Sequence, residues 1–434
     1  MRTGFTEAQR ADPAVAEADG ILRACVHCGF CAPSCPTYRI TGDELDGPRG
    51  RIWLIRDMLE SDAPPRPEAV RHIDRCLGCL ACLPACPSGV DYRHLVELAR
   101  ERIEARGRRP LADRALRAIL ARMLPDAGRA RLLFALARPL AMLAPVLPGR
   151  LGAALALAGS APPARKPGPA PGIYPAEGAR RGRVGVLAGC VQAALAPGIN
   201  AALIRLLNRA GIEVVVFERA KCCGAIDQHL GRGADARARA RAAVAAIAAE
   251  MEAGGLDAVV QTAAGCGTLM KDYGHLLAGD PEWAARAGTV GQRVRDAGEY
   301  LLGLDLPFRS DLPALSLAWQ APCSLTFGQG AAAAPRALLE GAGFAVAEPA
   351  DAGMCCGSAG TYNVLEPGLA GELRARKAAS LDALGADAVV TANIGCLAQL
   401  RGAVAAPVLH FVEVLDWAAG GPVPETVRSL TGDG

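Results

Sequence analysis

The chain has 434 residues, of which 51% are hydrophobic and 21% are charged, so it is long enough for several packed domains. Its 47 basic and 44 acidic residues leave a formal net charge of +3, which gives no broad field for holding a nucleic acid. The N-terminus lacks the apolar centre of a signal peptide, so the 16 cysteines are expected to be reduced in the cytoplasm and available to metal. The most apolar stretch, residues 132–159, is interrupted by Arg and Pro, which argues against a membrane span.

Residues 1–110 are predicted to form a helical domain around two cysteine runs. The spacing of apolar residues indicates helices over residues 12–24, 51–60 and 92–106. The pattern CxxCxxCxxxCP begins at Cys25 and recurs at Cys76. This is the bacterial ferredoxin spacing, in which three thiolates hold one [4Fe-4S] cluster and the fourth cysteine of the run ligates the other cluster.

The spacing assigns eight cysteines to two [4Fe-4S] clusters. One cluster takes Cys25, Cys28, Cys31 and Cys86, and the other takes Cys76, Cys79, Cys82 and Cys35. Zinc is the alternative, but zinc sites usually use paired CxxC units rather than three evenly spaced cysteines and a CP. The 40 residues between the two runs exceed what a compact ferredoxin needs. With a helix among them, the domain resembles the helical ferredoxin domain of succinate dehydrogenase and fumarate reductase iron-sulfur subunits.

Residues 111–178 are predicted to connect this domain to the rest of the chain. Leu, Ala and Met on one face and Arg on the other indicate amphipathic helices from residue 111 to about 157. We interpret them as a packed connecting hairpin, with a membrane-surface helix as the alternative. Residues 161–178 are rich in Pro and Gly, which predicts a linker.

Beyond the linker the chain repeats itself. Three features occur twice: a strand that ends in a cysteine, a Cys-Cys-Gly motif, and a second strand that ends in a cysteine. The second copies follow the first at offsets of 133, 133 and 130 residues, which implies a duplicated unit at 179–310 and 311–434. Strands that alternate with helices predict parallel sheets with the cysteines just past the strand ends. The expected fold is therefore an α+β multidomain protein, with a helical ferredoxin domain followed by a duplicated α/β domain.

The repeat cysteines are a second candidate site, for further metal or for thiol chemistry. They are Cys190, Cys222, Cys223 and Cys266 in the first repeat and Cys323, Cys355, Cys356 and Cys396 in the second. They resemble the CCG domains of the heterodisulfide reductase family, in which adjacent cysteines help to hold an unusual cluster. The fullest form of that pattern ends in CxxC, which this chain lacks, so a five-thiolate cluster is in doubt. A four-thiolate iron-sulfur site, a zinc site and a vacant thiol pocket remain open.

The sequence offers no group for substrate oxidation. GxGxxG after a strand, a P-loop, GxSxG and paired metal-binding histidines are all missing, so no catalytic residue is predicted. The chain is expected to carry electrons. Because a reduced flavin holds two electrons and each cubane accepts one, two clusters in series suit a flavoprotein partner.

The whole chain resembles the family of glycolate oxidase iron-sulfur subunits. The resemblance rests on CVHCGFCAPSCPTY at 25–38, TGDELDGPRGRI at 41–52, CLGCLACLPACPSGVDY at 76–92 and the two CCG repeats. It implies a complex in which an FAD-containing subunit oxidises glycolate to glyoxylate and a second flavoprotein-like subunit assists. This chain would then pass electrons to a quinone or another membrane acceptor, from a peripheral position on the cytoplasmic face of the inner membrane.

Three other functions are alternatives. The first is an iron-sulfur subunit of a D-lactate or glycerol-3-phosphate dehydrogenase, the second is a heterodisulfide-reductase-like thiol reductase, and the third is a metal-stabilised scaffold. The segment GDELDGPRGRI directly after the first run favours the glycolate family.

Overall fold

A computed structural model describes residues 1–61, 63–160 and 168–430. Residues 161–167, the first part of the predicted linker, lie outside the described residues, as do the last four positions. The described chain consists of a helical N-terminal domain, a helical connection and two α/β repeats, as the sequence predicts.

Over residues 1–61 and 63–110 the N-terminal domain contains six α-helices and one 3-10 turn (Glu44–Asp46), and the three helices predicted there are among them. The helices are α1 (Glu7–Arg10), α2 (Pro13–Ala24), α3 (Pro36–Thr41), α4 (Pro48–Glu60), α5 (Pro67–Asp74) and α6 (Tyr92–Arg106). Four of them begin at proline, whose fixed φ suits the first helical position. Their apolar faces form one core around fully buried Ile55, Ile73 and Leu95. This core supports both cysteine runs.

The connection is helical, as predicted, but its exposed face carries apolar side chains as well as the predicted Arg side chains. It contains α7 (Leu111–Met123), α8 (Ala127–Ala137), a 3-10 turn (Arg138–Leu143) and α9 (Gly149–Ser160). One face packs on the two repeats, where Leu120 joins a cluster with Leu230 and Val364. The other face leaves Leu136 and Met142 exposed. Among the described residues, no helix has the combined length and apolar character that crossing a membrane requires.

The first repeat contains a five-stranded sheet with the order β1-β3-β2-β4-β5. Its strands are β1 (Gly172–Tyr174), β2 (Gly182–Val186), β3 (Ile212–Val216), β4 (Ala258–Gln261) and β5 (Val294–Asp296). The helices are α10 (Val191–Leu195), α11 (Gly198–Arg209), α12 (Ala225–His229), α13 (Gly233–Gly254), α14 (Ala264–Lys271), α15 (Tyr273–Leu276), α16 (Ala284–Arg293) and α17 (Ala297–Leu301). Strand β1 falls within the predicted linker and pairs antiparallel with β3. Three residues are too short a strand to stand out from a Pro- and Gly-rich stretch.

The second repeat contains a four-stranded parallel sheet with the order β7-β6-β8-β9. Its strands are β6 (Ser316–Gln320), β7 (Ala345–Ala347), β8 (Ala388–Thr391) and β9 (Val408–His410). The helices are α18 (Cys323–Thr326), α19 (Ala333–Gly341), α20 (Tyr362–Leu365), α21 (Pro367–Asp382), α22 (Ile394–Leu400) and α23 (Phe411–Ala418), followed by a 3-10 turn (Glu425–Leu430). Strands β2 to β5 have the same parallel order as β6 to β9, which is the topology expected of a duplicated unit.

The two repeats share one hydrophobic core. Val184, Leu207 and Val260 of the first repeat lie in the same buried cluster as Trp319 and Phe411 of the second. The two sheets are therefore halves of a single packed body, joined through the faces of α11 and α23.

Candidate iron-sulfur centres

The first thiol set consists of Cys25, Cys28, Cys31 and Cys86, which line one cavity between the two cysteine runs. Cys25 is buried, Cys31 and Cys86 are half-buried, and Cys28 is exposed. Three of these thiols come from the first run and one from the second. Val26, next to Cys25, is 67% exposed, which shows that the set lies at the surface of the N-terminal domain.

The second thiol set consists of Cys35, Cys76, Cys79 and Cys82, which line the neighbouring cavity. Cys82 and Tyr92 line both cavities, so the two sets are adjacent. These are the two groups of four that the ferredoxin spacing predicts. Four thiol donors around one cavity suit a [4Fe-4S] cluster, and the donor chemistry of both cavities fits that group.

Both cysteine runs have the same unusual backbone. His27 and Gly29 in the first run have φ values of 58° and 84°, and Gly78 and Leu80 in the second both have 63°. These left-handed residues stand two and four positions after the first cysteine of each run. Left-handed φ is rare for a residue with a side chain, so its recurrence at the same two positions indicates one loop shape common to both runs.

Arg51 is a buried cation beside the second thiol set. It is 1% exposed, and its Nη1 lies 3.8 Å from the Cys35 sulfur. Its Nε donates to the His72 carbonyl at 2.7 Å, and its Nη2 donates to the Thr37 hydroxyl at 3.0 Å. Burial raises the pKa of the Cys76 thiol, but the Arg51 and Arg100 guanidinium groups outweigh it and lower that pKa. A buried cation thus favours the thiolate that metal requires.

Asp46 balances this charge from a fully buried position. Its carboxylate accepts from His72 Nδ1 at 2.8 Å and from Arg75 Nη1 at 2.9 Å, and lies 3.6 Å from Arg51 Nη2. A Cβ at Gly50 would lie 2.2 Å from the Glu44 carbonyl oxygen, so the turn at this point has room only for glycine. The segment 41–52 is therefore the support of the second thiol set. Sequence reasoning singled the segment out but did not assign these roles.

The third thiol set is that of the first repeat and comprises Cys190, Cys222, Cys223 and Cys266. The sulfurs of Cys190 and Cys222 lie 3.6 Å apart. Cys223 shares hydrogen bonds with Cys222 and Cys266, so all four thiols are joined. Hydrogen bonds with Cys190 and then with Cys223 hold the pKa of the Cys222 thiol well below its usual range.

The fourth thiol set is that of the second repeat and comprises Cys323, Cys355, Cys356 and Cys396. The sulfurs of Cys323 and Cys355 lie 3.9 Å apart, and those of Cys356 and Cys396 lie 3.3 Å apart. Cys355 and Cys356 also share a hydrogen bond. Each repeat therefore brings together the four cysteines predicted from its sequence, and four soft donors suit iron-sulfur or zinc.

Strand ends and one glycine position the repeat thiols. Cys190 and Cys323 open short helices that follow β2 and β6, whereas Cys266 lies inside α14 and Cys396 inside α22. The glycine of the CCG motif at Gly357 has φ +85°, and a Cβ there would lie 2.6 Å from the Ala370 carbonyl oxygen. The third residue of the motif must therefore be glycine for the chain to turn against the next helix.

The second and fourth thiol sets are neighbours across the boundary between the N-terminal domain and the repeats. Cys79 and Cys323 pack against one apolar cluster that contains Leu77, Met354 and Cys355. Burial raises the pKa of the Cys79 thiol well above its usual range, and the neighbouring Cys323 adds to this effect.

The fourth and third sets are linked in turn through Asn393. Its Nδ2 donates to the Cys396 sulfur at 3.6 Å, and its Oδ1 accepts from the backbone of Gly265 at 3.5 Å. The order in space is therefore first, second, fourth and third. Sequence reasoning placed the cysteines but missed this order, because it depends on contacts between distant parts of the chain.

Each repeat set also has a buried or half-buried cation beside it. Lys377 is 1% exposed and donates to the carbonyls of Asp351 and Ala352 at 2.7 and 3.2 Å. Burial lowers the pKa of Lys377, and the thiols of the fourth set oppose that change. In the first repeat, Arg239 raises the local positive potential near Cys222. Such cations stabilise an anionic thiolate site.

The fold and the four thiol sets define the class of this molecule as a multidomain iron-sulfur protein. The family described as 4Fe-4S dicluster domain matches residues 21–90, and the family described as Cysteine-rich domain matches residues 184–271 and 317–401. The Glycolate oxidase iron-sulfur subunit of Escherichia coli is 40% identical over 96% of this chain and 99% of its own length. The chain belongs to the family of glycolate oxidase iron-sulfur subunits.

Other relatives support the same architecture. The Probable glycolate oxidase iron-sulfur subunit of Bacillus subtilis is 34% identical over 88% of this chain and 89% of its own length. A Fumarate reductase (CoM/CoB) subunit of Methanothermobacter marburgensis is 25% identical over 92% of this chain and 72% of its own length. A solved structure of a hypothetical protein from Helicobacter pylori shares the fold, with a TM-score of 0.52 and 10% identity, over 97% of this chain and 74% of that chain.

Proposed function

We propose that this chain is the iron-sulfur electron-transfer subunit of a glycolate dehydrogenase complex. In that complex an FAD-containing subunit oxidises glycolate to glyoxylate, a second flavoprotein-like subunit assists, and this chain passes the electrons toward a quinone. The observation that carries the proposal is the pair of adjacent cavities, which the eight cysteines of the first and second thiol sets line, with Cys82 lining both. Membership of the glycolate oxidase iron-sulfur subunit family supports the choice of substrate.

We assign the ligands of two [4Fe-4S] clusters to the first and second thiol sets. A bound [4Fe-4S] cluster supplies one-electron redox chemistry at each set. The chain itself provides the thiolates, a buried countercharge at Arg51 and an apolar surround that limits water. The third and fourth sets are proposed as four-thiolate sites for a further iron-sulfur cluster or for zinc.

The surface over the first thiol set is proposed to receive the flavoprotein. Cys28 is exposed there, and Val26 and Phe30 beside it are 67% and 66% exposed. Apolar side chains around a reactive centre suit a partner that excludes water on docking. Electrons would therefore enter at the thiol set nearest to the surface.

The connection is proposed to hold the chain peripherally on the cytoplasmic face of the inner membrane. Six of its exposed apolar side chains lie on α8, the 3-10 turn and the segment leading to α9, where they suit the lipid interface. They are Leu132, Leu136, Leu140, Met142, Leu143 and Val146.

The test is Cys79→Ser in the assembled complex, purified without oxygen. We expect quinone reduction by glycolate to be lost and flavin reduction by glycolate to be retained, because only the electron route is interrupted. Ser88→Ala, a small change near the same run that removes no thiol, is the matched control and should keep both activities. Loss of flavin reduction in an assembled Cys79→Ser complex would contradict the proposal.

A further inference from the structure

An apolar cavity lies between the connection and the two repeats. Its volume is about 330 Å³, and α7, α8 and α9 form its outer wall. Leu120, Phe134 and Leu155 line this wall, and Val191 and Ile394 line the opposite side. Ligand pockets in proteins typically measure about 300–1,000 Å³, so the cavity is at the lower end of that range and has room for a single aromatic ring and part of a chain.

The inner end of the cavity is polar and reaches the third thiol set. All four cysteines of that set line the cavity, three of them buried and Cys266 half-buried. Gln192, Gln261 and Asn363 also line the cavity, and within the described residues Gln192 Oε1, Gln261 Nε2 and Asn363 Oδ1 have no hydrogen-bond partner. Buried polar atoms without partners are costly, so they indicate a ligand that completes their hydrogen bonds.

The outer end of the cavity opens through apolar side chains. Ile119 and Leu151 line it and are 50% and 58% exposed. Within the described part of the chain, no Asp, Glu, Lys or Arg side chain lines the cavity. The space therefore combines an apolar entrance, apolar walls and an uncharged polar end beside thiols.

We propose that this cavity binds a lipophilic quinone, with the ring at the third thiol set and the tail between α7 and α9. Gln261 Nε2 can donate to a quinone carbonyl, and Gln192 Oε1 and Asn363 Oδ1 can accept from the hydroxyls of the quinol. A saturated acyl chain would leave all three atoms without partners. The assignment rests on the proposed function, which supplies the electrons.

Reduction of the quinone takes up the same number of electrons and protons as the oxidation of glycolate releases. Glycolate oxidation to glyoxylate releases two electrons and two protons. The quinone takes up two electrons through this chain and two protons from solvent, and its two carbonyls become the two hydroxyls of the quinol. The exposed apolar residues of the connection place the entrance where a membrane-dissolved quinone can reach it.

The direct test is photolabelling of the intact complex with an azido-substituted quinone that carries a short isoprenoid tail. We expect label on the segments that line the cavity, 116–158, 187–195, 222–229, 261–266, 358–364 and 393–398, and excess unlabelled quinone should compete it away. The inference would be overturned if the label that unlabelled quinone removes were found only on other subunits or only elsewhere on this chain. Labelling needs no turnover, so it is independent of the proposed function.

The second test fills the cavity. Ala154 lines it, whereas Ala156 on the same helix is exposed, so Ala154→Trp and Ala156→Trp are matched variants. We expect Ala154→Trp to raise the KM for quinone by about tenfold or more, while glycolate oxidation with a water-soluble dye acceptor is unchanged. Equal KM values for quinone in the two variants would overturn the inference.

If Ala154→Trp does not assemble, Ala158→Leu takes its place with the same expected result, since Ala158 also lines the cavity. A wild-type complex that fails to reduce its clusters with glycolate would instead refute the proposed function. The photolabelling result would still decide the cavity.

Discussion

At the scale of single residues, charged side chains next to the thiols distinguish the two N-terminal sets. Arg49 lines the cavity of the first set and donates to the His27 carbonyl at 3.2 Å. Arg51 serves the second set from a fully buried position near Cys35. A cation close to a cluster favours its reduced, more negative state.

We therefore predict that Arg51→Gln lowers the reduction potential of one cluster by on the order of 100 mV, as expected for loss of a nearby unit charge. The measurement is a redox titration of the complex followed by electron paramagnetic resonance. Arg49→Gln is the matched control and should lower the other potential by less, because Arg49 is partly exposed. Intact cubane signals with both potentials unchanged in Arg51→Gln would contradict the assignment.

The CCG glycine gives a second prediction at this scale. Gly357→Ala should destabilise the second repeat by about 1–3 kcal/mol, because its φ is left-handed and the new Cβ meets a backbone carbonyl. Gly371→Ala on α21 has open space around the added carbon and should be neutral or stabilising. Thermal unfolding of both variants measures this difference, and equal melting temperatures would count against it.

The sequence could predict the cysteines but not their surroundings. Spacing alone groups eight cysteines because the ferredoxin pattern is local in the chain. Arg51 and Asp46 act across several helices, and nothing in their own sequence neighbourhood says which thiol they approach. Both residues lie in segment 41–52, which the sequence singles out as characteristic of the family. Only the fold shows that this segment supports the second thiol set.

At the scale of elements, helix α6 ties the N-terminal domain to the first repeat through His94. Its Nδ1 lies 2.5 Å from Asp91 Oδ2, its Nε2 lies 3.1 Å from Asp272 Oδ2, and its ring stacks on His275 at 3.5 Å. Burial lowers the pKa of His94, but the two carboxylates outweigh it and raise the pKa to about 10. Arg93 also faces Asp272, at 3.1 Å.

We predict that this contact makes stability depend on pH. The pKa is raised on folding, so the stabilisation is fully present below the unfolded value of about 6.5 and is lost as pH rises through about 10. The melting temperature of His94→Gln should lie below that of the wild type at pH 6 to 7, and the gap should narrow above pH 10. A gap that is constant across this range would show that the charge of His94 is unimportant.

Long elements were predicted well and short ones poorly. Helices α2, α4 and α6 have enough turns for their apolar spacing to show, and the strands after the linker recur in two copies. Strand β1 has three residues and α3 has six, so each covers fewer than two periods of its pattern, which is too short for the pattern to be recognised.

At the scale of the whole molecule, the two repeats behave as one body. Their sheets share a core, and Trp319 and Phe411 at its centre pack edge to face with ring centroids 6.5 Å apart. The duplication was readable from the sequence. The shared core was not, because periodicity identifies a buried face but not what covers it.

We predict that a chain shortened to residues 1–310 does not keep a folded first repeat, since the core face of that repeat would be exposed to water. Circular dichroism and limited proteolysis, with the full chain as the control, measure the result. A cooperative unfolding transition near that of the full chain would contradict a shared core.

The proposed function requires two cubane clusters in this chain, on an electron route from a flavoprotein. Counting iron, sulfide and zinc in the complex purified without oxygen, together with electron paramagnetic resonance after glycolate is added, tests this requirement. We expect about eight iron atoms per chain from the N-terminal sets, with cubane signals that grow on glycolate addition and further metal only if the repeat sets are filled. Near-stoichiometric zinc without a cubane signal would contradict it.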